Sequence, residues 1–209
     1  MFVSLSASFA SHACAVRQSI DNYYKQQTNT NFFDWLVCSM KSINDIIEGK
    51  PILFDEENYT YPNTLNTVSI DFKNFDLLIS HHDIHEFNET SISDITGKYT
   101  RRRERFLNMI KTDNQEIVHF VRYCKYQDNL EEEEINKFFE LLKNLNSNFT
   151  FKFVLISDDN TLIIPKSLES RENFIHLNLS NYIDDEVQNE PNEYFKIIKM
   201  YKCVYTLIK

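Results

Sequence analysis

Met1-Phe2-Val3-Ser4-Leu5, followed by Ser6-Ala7-Ser8-Phe9-Ala10-Ser11-His12-Ala13-Cys14-Ala15-Val16-Arg17, is an apolar run that opens into a small-residue turn and then a helical pattern. A short strand feeding a turn and a helix is the repeating unit of α/β proteins. It leaves backbone N–H groups and the positive end of a helix dipole beside the strand end, where such proteins place their chemistry. The same alternation continues along the chain. A helix is expected over 9–24, a polar loop over 25–31, and a second helical piece from Phe33 to about Ile47 that stops at Gly49-Lys50-Pro51. Residues 51–68 read as irregular, and Asp76-Leu-Leu-Ile-Ser80 as a buried strand that delivers His81, His82 and Asp83 to its C-terminal end.

Further on, a helix is expected over 100–110, strands over 116–122, 151–156 and 174–179, and a strongly amphipathic helix over 131–145 with Ile135, Phe138, Phe139, Leu142 and Leu145 on one face. The tail carries both signals, helix over 194–200 and strand over 205–208. Strands separated by helices imply parallel pairing with right-handed crossovers. The expected architecture is a single α/β domain over residues 1–209, a mostly parallel sheet flanked by helices as a three-layer sandwich.

Composition narrows the function classes. A chain of 209 residues with 42% hydrophobic and 14% aromatic content can bury a sizeable core and is not disordered. The net charge of −9, from 22 basic and 31 acidic side chains, opposes general binding of nucleic acid. Cys14, Cys38, Cys124 and Cys203 are widely spaced, without zinc spacing or a disulfide framework, so reduced thiols, no metal and a cytoplasmic setting, in a cell or an infected host, are expected. No segment reaches the length of a membrane span, so no membrane association is expected. With glycine only at 49 and 97, no phosphate loop or dinucleotide fingerprint exists, and no cofactor is expected.

Several side chains could carry chemistry, each with a plainer reading beside it. Cys14 with His12 and His82-Asp83 could form a thiol, imidazole and carboxylate set, although a cysteine among Ala and Val is also an ordinary core residue. His81, His82, His85, Asp83 and Glu86 resemble metal ligands, but on a strand end alternate side chains diverge. Lys98, Arg101, Arg102, Arg103 and Arg105 crowd the start of the expected helix, the wrong end for cations, which a bound phosphate would reconcile. Arg122 ends an apolar strand and either pairs with a buried carboxylate such as Asp34 or Asp83 or holds a substrate anion. Asp34, among Phe32, Phe33 and Trp35, reads as the cap of the following helix or as a site carboxylate.

Taken together, Val3-Ser4-Leu5 with its small-residue helix, Phe33-Asp34-Trp35-Leu36, His82-Asp83, the Lys98-Tyr99…Arg102-Arg103…Arg105-Phe106 segment and Phe120-Val121-Arg122 resemble an uncharacterised family of putative papain-like cysteine peptidases of bacteria and large DNA viruses. The resemblance covers roughly residues 3–160 and rests on the order and spacing of five blocks. It implies His82 as base and Asp83 as its orienter. The family tends to read Ser-Leu-Gly with a cysteine a few residues on; here Ser6 follows Ser4-Leu5, the cysteine position falls near Phe9 or Ala10, and Cys14 stands one helical turn later. Three functions remain open. One is a cysteine hydrolase with Cys14, His82 and Asp83 as catalytic residues. Another is a glycosyl- or other nucleotide-donor transferase binding donor phosphate through Arg102, Arg103 and Arg122. The third is a non-catalytic binding protein on the same fold. The expected partner is an anionic or phosphate-bearing substrate, held at strand ends by Asp34, Arg122, Arg102 and Arg103.

Overall fold

The computed structural model describes residues 1–8, 10–24, 31–52, 59–60, 68–84, 89–113, 116–158, 160–182, 189–191 and 199. Its strands are β1 (Phe2–Ala7), β2 (Leu36–Cys38), β3 (Tyr59–Thr60), β4 (Val68–Asp71), β5 (Leu78–Ile84), β6 (Val118–Tyr123), β7 (Phe151–Ser157) and β8 (Phe174–Asn178). Its helices are α1 (Ala10–Tyr24), α2 (Met40–Glu48), α3 (Glu89–Lys111), α4 (Glu132–Leu145) and the short α5 (Lys166–Glu169). All eight strands form one sheet in the order β3-β4-β5-β2-β1-β6-β7-β8. From β2 to β8 every pairing is parallel, whereas β2–β5, β5–β4 and β4–β3 are antiparallel.

The expected mostly parallel, three-layer α/β architecture is therefore observed, with one correction. β5 runs against its neighbour: Leu78 pairs with Cys38 and Ser80 with Leu36, so β5 begins where β2 ends. The run Asp76 to Ser80 shows that a strand is buried but carries no mark of direction.

One face of the sheet is covered by α1, whose Val16 and Ile20 pack with Phe2, Val37, Val121, Tyr123, Val154 and Ile156. The other is covered by α2, α3 and α4, whose Ile43, Phe106 and Phe138 belong to a core with Leu5, Phe120 and Phe153. Strand alternation explains the division, because successive residues point to opposite faces. On β6, Val118 and Phe120 enter one core and Val121 and Tyr123 the other. Phe138, Phe139 and Leu142 of α4 are fully buried, as the 131–145 periodicity predicts, and Phe138 meets Phe120 edge to face at 5.3 Å between ring centres.

Three other boundaries differ from the sequence reading. The helix expected from Phe33 is interrupted by β2, and α2 starts only after Ser39, whose side chain accepts the Ser42 N–H at 3.2 Å. Three apolar strand residues abutting a helical pattern leave no turn signal between them. Gly49 ends α2 as expected, at φ 102, the left-handed conformation that glycine adopts at least cost. The helix expected over 100–110 begins at Glu89, and strands β3 and β4 occupy part of the span read as irregular. Most of the tail from 193 onward lies outside the described residues, as do His85, Glu86 and Cys203.

Candidate functional site

The chain leaves β1 through α1 on one face to reach β2 on one side, whereas β6, on the other side of β1, begins a run whose helix α4 covers the opposite face. Oppositely directed crossovers separate the carboxyl ends of β1 and β6. Such a switch point is where open α/β sheets hold ligands.

The end of β1 is shaped for this position. Leu5 faces the α2/α3/α4 core but Ala7, two residues on, faces the α1 core. The extra residue is taken up at Ser6, at φ 60, where the β1–β6 register shifts between Ser4 and Ala7. A bulge of this kind re-aims the chain and is common beside functional sites. Two hydroxyls hold the turn: Ser4 Oγ accepts the Ser6 N–H at 3.0 Å, and Ser6 Oγ donates to the Leu36 carbonyl of β2.

Beneath the turn lies Arg122, 1% exposed. It donates to Leu5 O at 3.1 Å, Ser8 Oγ at 2.7 Å, Cys38 O at 3.0 Å and Glu131 Oε2 at 2.9 Å. Of the two roles expected for Arg122, the structure thus shows a carboxylate partner, Glu131, while Asp34 pairs with Arg17 instead. Glu131 also accepts the Met40 N–H, the first of α2, through both oxygens at 2.9 and 3.0 Å. On the α1 face of the same edge, Tyr123 Oη donates to Asp158 Oδ1 at 2.5 Å and Ser180 Oγ to the Asp158 carbonyl at 2.8 Å. Burial and the Asp158 carboxylate push the Tyr123 phenol far above its ordinary value, so it stays protonated.

The other expected site residues are distributed differently. Cys14 is half-buried on α1, beyond the helix's first turn, and burial pushes its thiol up. Cys38, fully buried, is pushed up to about 11 by desolvation against the pull of Arg122. His82 and Asp83 belong to β5, past Ser80, and their side chains lie outside the described residues. Because β5 is antiparallel, its C-terminal end lies toward the edge where β1, β2 and β6 begin. The parallel direction expected of the strand that delivers His82 and Asp83 is therefore corrected: it runs opposite to β6, which carries Arg122.

Asp34 does not cap α2. It precedes β2, is fully buried, and accepts from Arg17 Nη1 at 2.7 Å and from the Asn31 N–H at 2.6 Å. Arg17, 2% exposed, also donates to Asp21 at 2.8 and 3.2 Å. Burial pushes the Asp34 carboxyl up to about 7, opposed by Arg17, Asn31 and Arg102 and reinforced by Asp21. Its Oδ1 has no hydrogen-bond partner among the described residues. Arg102, 9% exposed, turns inward and lies 5.5 Å from the Tyr99 ring centre. Arg103, one residue on and about 100° around the helix, instead lines a cleft of about 210 Å³ with Ile52, Thr96, Thr100, Glu104 and Leu107. The reason for invoking a phosphate near Arg101 to Arg105 is removed by the observed start of α3 at Glu89, which puts these cations well inside the helix. Among the described residues, no group of three His, Cys, Asp or Glu side chains is placed to hold a metal ion.

Glu131 and Tyr123 with Asp158 were not legible as site residues. Glu131 is the first of four glutamates and reads as an acidic helix start. Only its backbone at φ 51 and ψ 48, which no sequence pattern announces, sends its side chain away from α4. No helix among the described residues is long and apolar enough to cross a membrane.

Residues 8–161 match the model of a family described as putative papain-like cysteine peptidase (DUF1796). No curated protein and no solved structure matches the chain.

Proposed function

The chain belongs to the family of putative papain-like cysteine peptidases, and from that membership we propose a member that binds a ligand at the switch-point crevice between β1 and β6 and performs no thiol chemistry. The observation that carries this reading is the direction of β5. A thiol nucleophile needs its imidazole within hydrogen-bond reach. Leu78 pairs with Cys38 at the carboxyl end of β2, and His82 lies four residues further, about 13 Å along an extended strand toward the opposite edge. Cys14 lies four residues into α1, about 6 Å from its start. Burial also holds the Cys14 thiol protonated, the reverse of what a peptidase nucleophile requires. The bulged Ser6 turn, Ser8 and the Tyr123–Asp158 pair supply the polar rim of the crevice.

The test is labelling by iodoacetamide across pH, with mass spectrometry to assign the cysteine. Cys14 is expected to label with a midpoint above that of an ordinary thiol, with no change in His82→Ala. A midpoint below neutral that is lost in His82→Ala would restore the hydrolase. A thermal-shift panel of nucleoside diphosphates, nucleotide sugars and small polar metabolites reads the binding side. Stabilisation by a metabolite, removed by Ser8→Tyr at the crevice mouth, is expected. Stabilisation by nucleotide sugars that is lost only when Arg103 is replaced would favour a transferase.

A further inference from the structure

Glu131 stands outside helical convention in two respects. It precedes α4 with a left-handed backbone at φ 51, and its carboxylate makes no cap bond to its own helix. It reaches instead to the first N–H of α2 with both oxygens and to Arg122 with one. What surrounds that carboxylate is the complement of an oxyanion: a helix N-terminus on one side and, on the other, a guanidinium only 1% exposed whose remaining bonds go to neutral oxygens of Leu5, Ser8 and Cys38. Take the carboxylate away and Arg122 is a buried cation with no counter-charge, a situation far more costly than the pair itself. The pocket therefore demands an anion, and in the folded chain the anion is supplied internally. Glu131 is 18% exposed, so the pocket also has a path to solvent.

We propose that Glu131 is an internal plug in a carboxylate-binding pocket built by Arg122 and the N-terminus of α2, and that this pocket accepts an external carboxylate when the plug is removed. This goes beyond the crevice reading and does not depend on it. In the wild type a free carboxylate competes with a tethered one of high effective concentration, so occupancy from solution is low. Without the plug, the same donors bind formate or acetate. Binding only to the folded form then raises Tm in a saturable way.

The experiment uses Glu131→Gly, because glycine accepts the left-handed backbone and the substitution removes the carboxylate without adding strain. Tm is measured against sodium formate and sodium acetate, with sodium chloride at equal ionic strength as the reference. The variant is expected to melt lower than the wild type, to recover several degrees in formate with a saturating dose response, and to recover little in chloride, while the wild type responds equally to all three salts. Glu131→Asn, whose side chain also tolerates this backbone and is uncharged, should behave alike. Exchange of the Met40 amide should speed up in both variants and slow again in formate. Recovery no greater in formate than in chloride would overturn the proposal, as would an equal formate response in the wild type. If neither variant folds without carboxylate, folding in formate supports the pocket and failure to fold in formate overturns it.

Discussion

At the scale of single residues, the buried ionisable groups divide by what surrounds them. Arg122 has a carboxylate and three further oxygens, whereas Asp34 has Arg17 and one backbone N–H and leaves Oδ1 unpartnered. Burial outweighs Arg17 and lifts the Asp34 carboxyl to about 7, while in the unfolded chain it titrates near the ordinary value of about 3.9. Between those values the folded state holds a proton that the unfolded state lacks, so this residue's contribution to stability falls as pH rises from about 4 to 7. Urea unfolding of wild type and Asp34→Asn across pH 5 to 8 isolates it, since asparagine does not titrate. The stability of Asp34→Asn relative to wild type is expected to rise with pH, each unit of pKa difference being worth about 1.4 kcal/mol. A difference that is flat with pH would mean that Arg17 keeps the carboxylate ionised throughout. Asp34 itself was legible in the sequence as a carboxylate among aromatics. Its partner Arg17 was not, because no spacing rule joins two residues seventeen apart in the chain.

At the scale of elements, hydrophobic period was the dependable signal. α4 presents Ile135, Phe138, Phe139 and Leu142 to the sheet, all fully buried. Phe139 lies 5.5 Å from the Phe151 ring and 5.7 Å from the Phe153 ring. Phe139→Ala is expected to cost about 3–5 kcal/mol by urea unfolding, the range for emptying a packed aromatic site. A loss under 1 kcal/mol would contradict this packing. The acidic start of α4 does more than complement the helix dipole: Glu131 bridges to α2 and Arg122, Glu134 accepts from the buried Asn44 at 2.8 Å and Glu132 from Ser167. Gly49→Ala offers a contrast, because a Cβ there would meet Arg103 Nη2 at an unforced 3.4 Å. Its cost, about 1–2 kcal/mol, would come from the left-handed backbone alone. The short β2 escaped a periodicity reading because three residues cannot show a period, and Leu36-Val37-Cys38 runs almost directly into the helical Met40.

At the scale of the whole molecule, the sheet is two unlike halves sharing β2. The parallel half, β1 with β6 and β7, is covered on both faces and should be the most stable unit. Native-state hydrogen exchange is expected to leave the amides of Val121 and Val154 slowest and those of β8, at the sheet's edge, faster. Protection in β8 that outlasts β6 would contradict this order. The sequence by itself determined the alternation of strands and helices, the apolar faces, the stop at Gly49 and the blocks by which the family is recognised, all consequences of local side-chain pattern. Only the tertiary structure decided the direction of β5 and the pairing of Arg122 with Glu131. The reason is physical. A buried strand is equally apolar in either direction, so its orientation depends on which neighbour's backbone it meets. A bond between Glu131 and Met40 joins residues 91 apart, and forms only because the sheet brings two helix starts to one edge.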